Sequence, residues 1–163
     1  MKIAFKTAKL SVIVLLAGVA CSPADDGAQN STTKAEPETP APATMPRSAS
    51  AEGASVFIVS PANGDTVSSP FTVEFGIGTM AVVRAGDNTP NTGHHHILID
   101  TGLPPLDRPI PADEHHVHFG DGSSATELTL APGEHTLQLL LGDYLHIPHD
   151  PPVYSARITV IVE

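Results

Sequence analysis

The chain has 163 residues, 40% of them hydrophobic but only 4% aromatic, with no tryptophan and a single cysteine. Beyond residue 20 it carries 18 acidic residues against 5 basic ones, a formal charge of −13, which argues against nucleic acid or anionic lipid headgroups as electrostatic partners. One cysteine excludes an internal disulfide, a thiolate cluster and iron–sulfur chemistry, so any metal must be held by nitrogen and oxygen.

Residues 1–20 read as a leader peptide. Lys2, Lys6 and Lys9 precede an apolar run from Leu10 to Ala20 that is too short to span a bilayer of about 30 Å as a helix. The run ends Leu16-Ala17-Gly18-Val19-Ala20-Cys21, which resembles a bacterial lipobox, with Gly18 where leucine is commonest. The resemblance implies lipidation at Cys21 and a stable membrane anchor in the cell envelope. Ser22 after the cysteine resembles the signal for an outer-membrane destination facing the periplasm. Residues 21–53 follow as a tether. Pro23, Pro37, Pro40, Pro42 and Pro46 stand among Ala, Ser, Thr and Glu, and Ile, Leu, Val, Phe and Tyr are missing from residues 22–53. Such a segment buries too little apolar surface to offset its chain entropy and is expected to be a disordered spacer.

From residue 54 the texture becomes that of a β domain. Short apolar runs are expected as strands at Val56–Ser60, Phe71–Ile77, His95–Asp100, His116–Phe119, Thr126–Leu130, His135–Leu141 and Tyr154–Val162. Turn residues separate them, as in Pro61-Ala62-Asn63-Gly64-Asp65 and Gly120-Asp121-Gly122. Seven strands in this length predict an all-β, immunoglobulin-like antiparallel β-sandwich over residues 54–163. With no tryptophan, the usual core tryptophan of such a domain must be replaced by aliphatic residues. His135, in Gly133-Glu134-His135-Thr136-Leu137, falls where such domains place an aromatic corner residue. The segments Gly78–Gly93 and Thr101–Asp113 are too long for hairpin turns and flank the histidine strands, as loops shaping a site at one end of the sandwich would.

Six of the nine histidines lie in two stretches, His94-His95-His96 and Glu114-His115-His116-Val117-His118. On a strand, residues two apart share a face. His94 with His96, and His116 with His118, are therefore pre-oriented pairs suited to copper or zinc. His146, in the loop before the last strand, is a candidate additional ligand. Asp100, Asp113 and Glu114 are candidate outer partners for the rings. His95 and His115 should face the core as hydrogen-bonded structural residues; His149 has no assigned role. No Gly-x-Ser-x-Gly elbow occurs, so no catalytic residue is assigned.

Two resemblances bear on this reading. His116-Val117-His118-Phe119-Gly120-Asp121 looks locally like the copper-ligand strand of copper–zinc superoxide dismutases, but that family's paired cysteines and zinc loop are not recognisable. The motifs Ser60-Pro61-Ala62-Asn63-Gly64, Gly93-His94-His95-His96-Ile97-Leu98-Ile99-Asp100, His116-Val117-His118-Phe119-Gly120, Leu130-Ala131-Pro132-Gly133-Glu134-His135-Thr136-Leu137 and His146-Ile147-Pro148 form a distinctive set. Through them the chain from Val56 to Val162 resembles the bacterial family called domain of unknown function 4399. It implies a secreted or lipid-anchored single domain and supplies no activity. The expectation is a lipid-anchored envelope protein that binds, buffers or delivers copper or zinc through His94, His96, His116 and His118, with His146 as a further ligand. A non-metal adhesive or structural module is the alternative, and a metal-dependent enzyme a more distant one.

Overall fold

The computed structural model describes residues 45–163; the expected leader peptide, Cys21 and most of the tether lie outside the described residues. Nine strands follow in order: β1 (Ser55–Ser60), β2 (Thr66–Val67), β3 (Phe71–Gly78), β4 (Ala81–Val82), β5 (Thr92–Ile99), β6 (His116–His118), β7 (Ala125–Leu128), β8 (Gly133–Gly142) and β9 (Ile158–Val162). Among the described residues there is no helix. One sheet has the order β1-β3-β7; the other runs β2-β9-β8-β5-β4, with β6 also paired to β5. This is the strand order of an immunoglobulin-like sandwich, with β5, β8 and β9 in the places of its C, F and G strands.

All seven expected strands are present, and two short ones join them. β2 pairs with β9 and β4 with β5, both in parallel, so the larger sheet is mixed rather than purely antiparallel. Each is only two residues long, too short for alternation to reveal. The last strand begins at Ile158 instead of Tyr154, and Tyr154 makes only an isolated bridge to Leu140. The cause is a side chain in the ladder: the Leu139 amide donates to Ser155 Oγ (2.9 Å), which donates onward to the Ala156 carbonyl (2.7 Å).

Alternation decides which faces are buried. On β3, Phe71, Val73 and Phe75 point inward and Thr72 and Glu74 outward. Together with Ile97, Ile99, Leu137, Leu139, Leu141, Val160 and Val162 they form the core between the sheets. Aromatic rings share this centre with the aliphatic side chains. Phe75 stacks edge-on against His95 (centroids 4.8 Å apart) and tilted against Phe119 (5.2 Å). β5 and the second half of β8 are buried on both faces, because Leu98, Leu140 and Ile110 form a second, smaller apolar cluster. Ile110 comes from the proline-rich 101–113 segment, whose amide at Ile110 donates to the His146 carbonyl (2.8 Å). That segment therefore covers the outward face of the larger sheet.

His135 acts as the expected corner residue with an imidazole in the aromatic's place. One ring nitrogen contacts the Ala131 carbonyl four residues upstream (2.9 Å) and the other the Asp100 carboxylate (2.7 Å). Upstream of β1, residues from Met45 onward already lie against the domain. Ala49 bridges Asp150 in parallel, and the Ser50 amide donates to the Asp150 carbonyl (3.1 Å).

Candidate metal centre

The site grows from the alternation along β5. His95, Ile97 and Ile99 face the core between the sheets, so His94, His96 and Leu98 face outward, beneath the covering loops. Antiparallel pairing sets His118 of β6 opposite His96 and His116 opposite Leu98. The His96 and His118 ring centroids are 5.0 Å apart, and His94 lies 4.9 Å from each of them. One ligating nitrogen from each of His94, His96 and His118 lies within 4.8 Å of the others. A tetrahedral metal ion at about 2.0–2.1 Å from each nitrogen keeps neighbouring nitrogens about 3.4 Å apart, so the rings would have to draw together around it.

His146 joins the three from the loop after β8. Its ring lies 4.8 Å from His94, 4.7 Å from His118 and 6.0 Å from His96. The loop is built by Asp143, 1% exposed. Its Oδ1 accepts from the amides of Leu145 (2.9 Å) and Ile147 (3.0 Å), and its Oδ2 from the Ser48 hydroxyl (2.7 Å). That turn holds His146 at φ 65°, a left-handed conformation uncommon outside glycine, with asparagine, aspartate and histidine the more frequent exceptions. Arg47 fastens the same loop from outside. Its Nε donates to the Pro148 carbonyl (3.0 Å), a terminal nitrogen donates to the His149 carbonyl, and the other faces Asp150 (3.3 Å).

Two glycines make room for the rings. A Cβ on Gly142 would meet His96 Cε1 at 2.8 Å and Nδ1 at 3.2 Å, and one on Gly120 would overlap the His118 ring. His94 and His96 are each 1% exposed, whereas His118 is open to solvent and His146 half-buried. The group thus has two buried walls and two members toward water, through which an ion could arrive.

Electrostatics keep these rings able to ligate. Burial, and then the neighbouring His146 and His118, lower the His94 pKa to about 4. Burial, then His94, His118 and His146, lower that of His96 to about 2. Burial and His146 also lower His118. At neutral pH they are uncharged imidazoles with a lone pair each. Both nitrogens of His94 and Nδ1 of His96 are buried with no hydrogen-bond partner among the described residues. An unsatisfied buried polar group costs about 1–3 kcal/mol, and a metal ion would satisfy one nitrogen of each ring.

The remaining expectations fare differently. His116 is not among the rings in mutual contact: its Nδ1 is held by Asp113 Oδ1 (2.6 Å). His115 does not face the core; it is exposed, its Nδ1 on the Ile99 carbonyl (2.9 Å), because β6 starts only after it. His95 does face the core, but neither of its nitrogens has a partner among the described residues. None of the three acidic candidates hydrogen-bonds the cluster: Asp100 holds His135, Asp113 holds His116, and Glu114 stands 3.8 Å from His115. The carboxylate that shapes the site is Asp143, which sequence reasoning missed. Its signal was the Gly-Asp break closing a long apolar strand, where an aspartate caps the amides of the turn that follows. His149 is buried with Nε2 3.1 Å from the Thr92 carbonyl, a structural contact. It borders a hollow of about 370 Å³ with Ser48, Asn88, Asn91 and Asp143, and none of the four clustered histidines lines it.

Fold and site together define an immunoglobulin-like β-sandwich whose larger sheet bears, on its outward face, a histidine cluster that could hold a metal ion. The chain belongs to the family described as domain of unknown function (DUF4399), whose model matches residues 73–163, more than half of its length. The match takes in every histidine; the Ser60–Gly64 motif lies before it. No curated protein and no solved structure matches the chain.

Proposed function

We propose that the protein captures and holds a transition-metal ion, copper or zinc, at His94, His96 and His118, with His146 adjoining, while anchored in the cell envelope through a lipid on Cys21. The observation that carries this reading is the set of buried ring nitrogens on His94 and His96 without protein partners, facing His118 within ligating range. His135 and His149 find backbone acceptors, and His95, which finds none, has no other imidazole beside it, so it is the convergence of unpaired rings that singles out His94 and His96. The lipobox-like Leu16–Cys21 run and the proline-rich spacer support attachment to the outer membrane, with the domain held in the periplasm. Among the described residues no helix is long and apolar enough to cross a membrane.

Equilibrium dialysis of the full chain against Cu²⁺ or Zn²⁺ at neutral pH tests the reading. The parent should take up one equivalent, and a His96→Ala, His118→Ala double variant should take up none. Absence of uptake by the parent would leave a tethered module without metal.

A further inference from the structure

We infer that the cluster is a closed four-histidine site for a tetrahedral ion, zinc(II), with His146 as the fourth ligand. The inference rests on the metal-holding reading above and deepens it. Six ring-to-ring distances relate the four imidazoles. They are 4.9 Å (His94–His96), 4.9 Å (His94–His118), 4.8 Å (His94–His146), 5.0 Å (His96–His118), 4.7 Å (His118–His146) and 6.0 Å (His96–His146).

Coordination geometry predicts these edges. With metal–nitrogen distances of about 2.05 Å, a tetrahedral ion sets all six ring centroid separations at about 5.2 Å. A square-planar ion sets four at about 4.5 Å and two diagonals at about 6.4 Å. If His96–His146 were one diagonal, His94–His118 would be the other, and it is among the short edges at 4.9 Å. The ring centroids make a slightly opened tetrahedron, in which the nitrogens of His94, His96 and His118 lie within 4.8 Å of one another and His146 has to swing in to join them. A planar copper(II) or nickel(II) preference does not match it.

Donor chemistry narrows the choice further. Four imidazoles and no sulfur suit zinc(II) better than copper(I), which favours thiolate and thioether. Among the described residues the thioethers are Met45, which is exposed, and Met80, buried in the core between the sheets in the turn from β3 to β4. Four protein ligands leave no open position for a reacting water, which marks a holding site rather than a catalytic one. The one long edge belongs to His146, the ligand on the turn clamped by Asp143, Ser48 and Arg47, so zinc should draw this loop toward His96.

Cobalt(II) reports the geometry, because a four-coordinate ion absorbs visible light far more strongly than a six-coordinate one. The full chain should bind one Co²⁺ with intense visible bands, displaced by one equivalent of Zn²⁺. His146→Gly keeps the left-handed backbone and removes the imidazole. Water can take the vacated position and keep the ion four-coordinate, so the visible bands should shift in position, and Zn²⁺ binding should weaken at least about tenfold, the smallest loss expected even for an outer-sphere partner. Faint six-coordinate bands in the parent, or an unchanged spectrum in His146→Gly, would overturn the tetrahedral assignment and leave metal binding standing. No uptake of either ion by the parent would overturn both.

Discussion

His94 and His95 are adjacent, both are buried with both ring nitrogens unpaired among the described residues, and they face opposite sides of one strand. What separates them is company. His94 meets three other imidazoles, while His95 meets the edge of Phe75 in an otherwise apolar core. Burial alone lowers the His95 pKa to about 4, so its ring is neutral and still needs a donor and an acceptor satisfied. Each unpaired nitrogen costs about 1–3 kcal/mol, against about 0.5–1.5 kcal/mol from the aromatic contact. His95→Leu, close in volume, should therefore stabilise the protein by about 1 kcal/mol or more without changing metal uptake. Urea unfolding of the two proteins checks this. A loss of stability would mean that His95 has a partner the core does not reveal.

At the scale of elements, the corner at His135 ties three segments together: the end of β5 at Asp100, the turn at Ala131 and the start of β8. Asp100 also accepts from the Thr136 amide (2.7 Å). The Asp100 hydrogen bond, opposed by burial and helped by the Ala131 carbonyl, raises the His135 pKa above 6.5. Burial pushes Asp100 up, but the Thr136 amide and then the His135 ring outweigh it and leave it below 3.8. The signs follow by linkage. His135 contributes fully below about pH 6.5 and loses its contribution as pH rises through its raised folded pKa. Asp100 contributes above about pH 3.8 and loses its contribution as pH falls through its lowered one. The corner is thus strongest between those limits. A His135→Gln variant should show its largest destabilisation, by thermal unfolding, near pH 5.5 and a smaller one near pH 8.5. Equal losses at both would rule out the charged corner.

At the scale of the whole molecule, legibility tracks period. Strands of three or more residues declared themselves by alternation and turn punctuation, whereas β2 and β4 were invisible because two residues carry no period. The facing of His94 and His96 followed from spacing on one strand. The separate fates of His116 and His118 did not, since they depend on the pairing that sets His118 opposite His96 and on Asp113 taking the His116 ring. The Asp143 clamp and its Ser48 and Arg47 fastenings join residues about a hundred positions apart, which no local pattern encodes. The same long range gives the site its thermodynamic weight. His94 and His96, His118 and His146 come from three segments more than 20 residues apart, so only the folded chain offers them together. An ion that binds the folded state alone stabilises it by about 2.7 kcal/mol at a free concentration of 100 times its Kd. For a domain of this size that raises Tm by about 10 °C. Zinc should produce such a rise in the parent, a chelator should reverse it, and the His96→Ala, His118→Ala variant should show none. A parent Tm that ignores saturating zinc would mean that the histidines converge without gripping an ion.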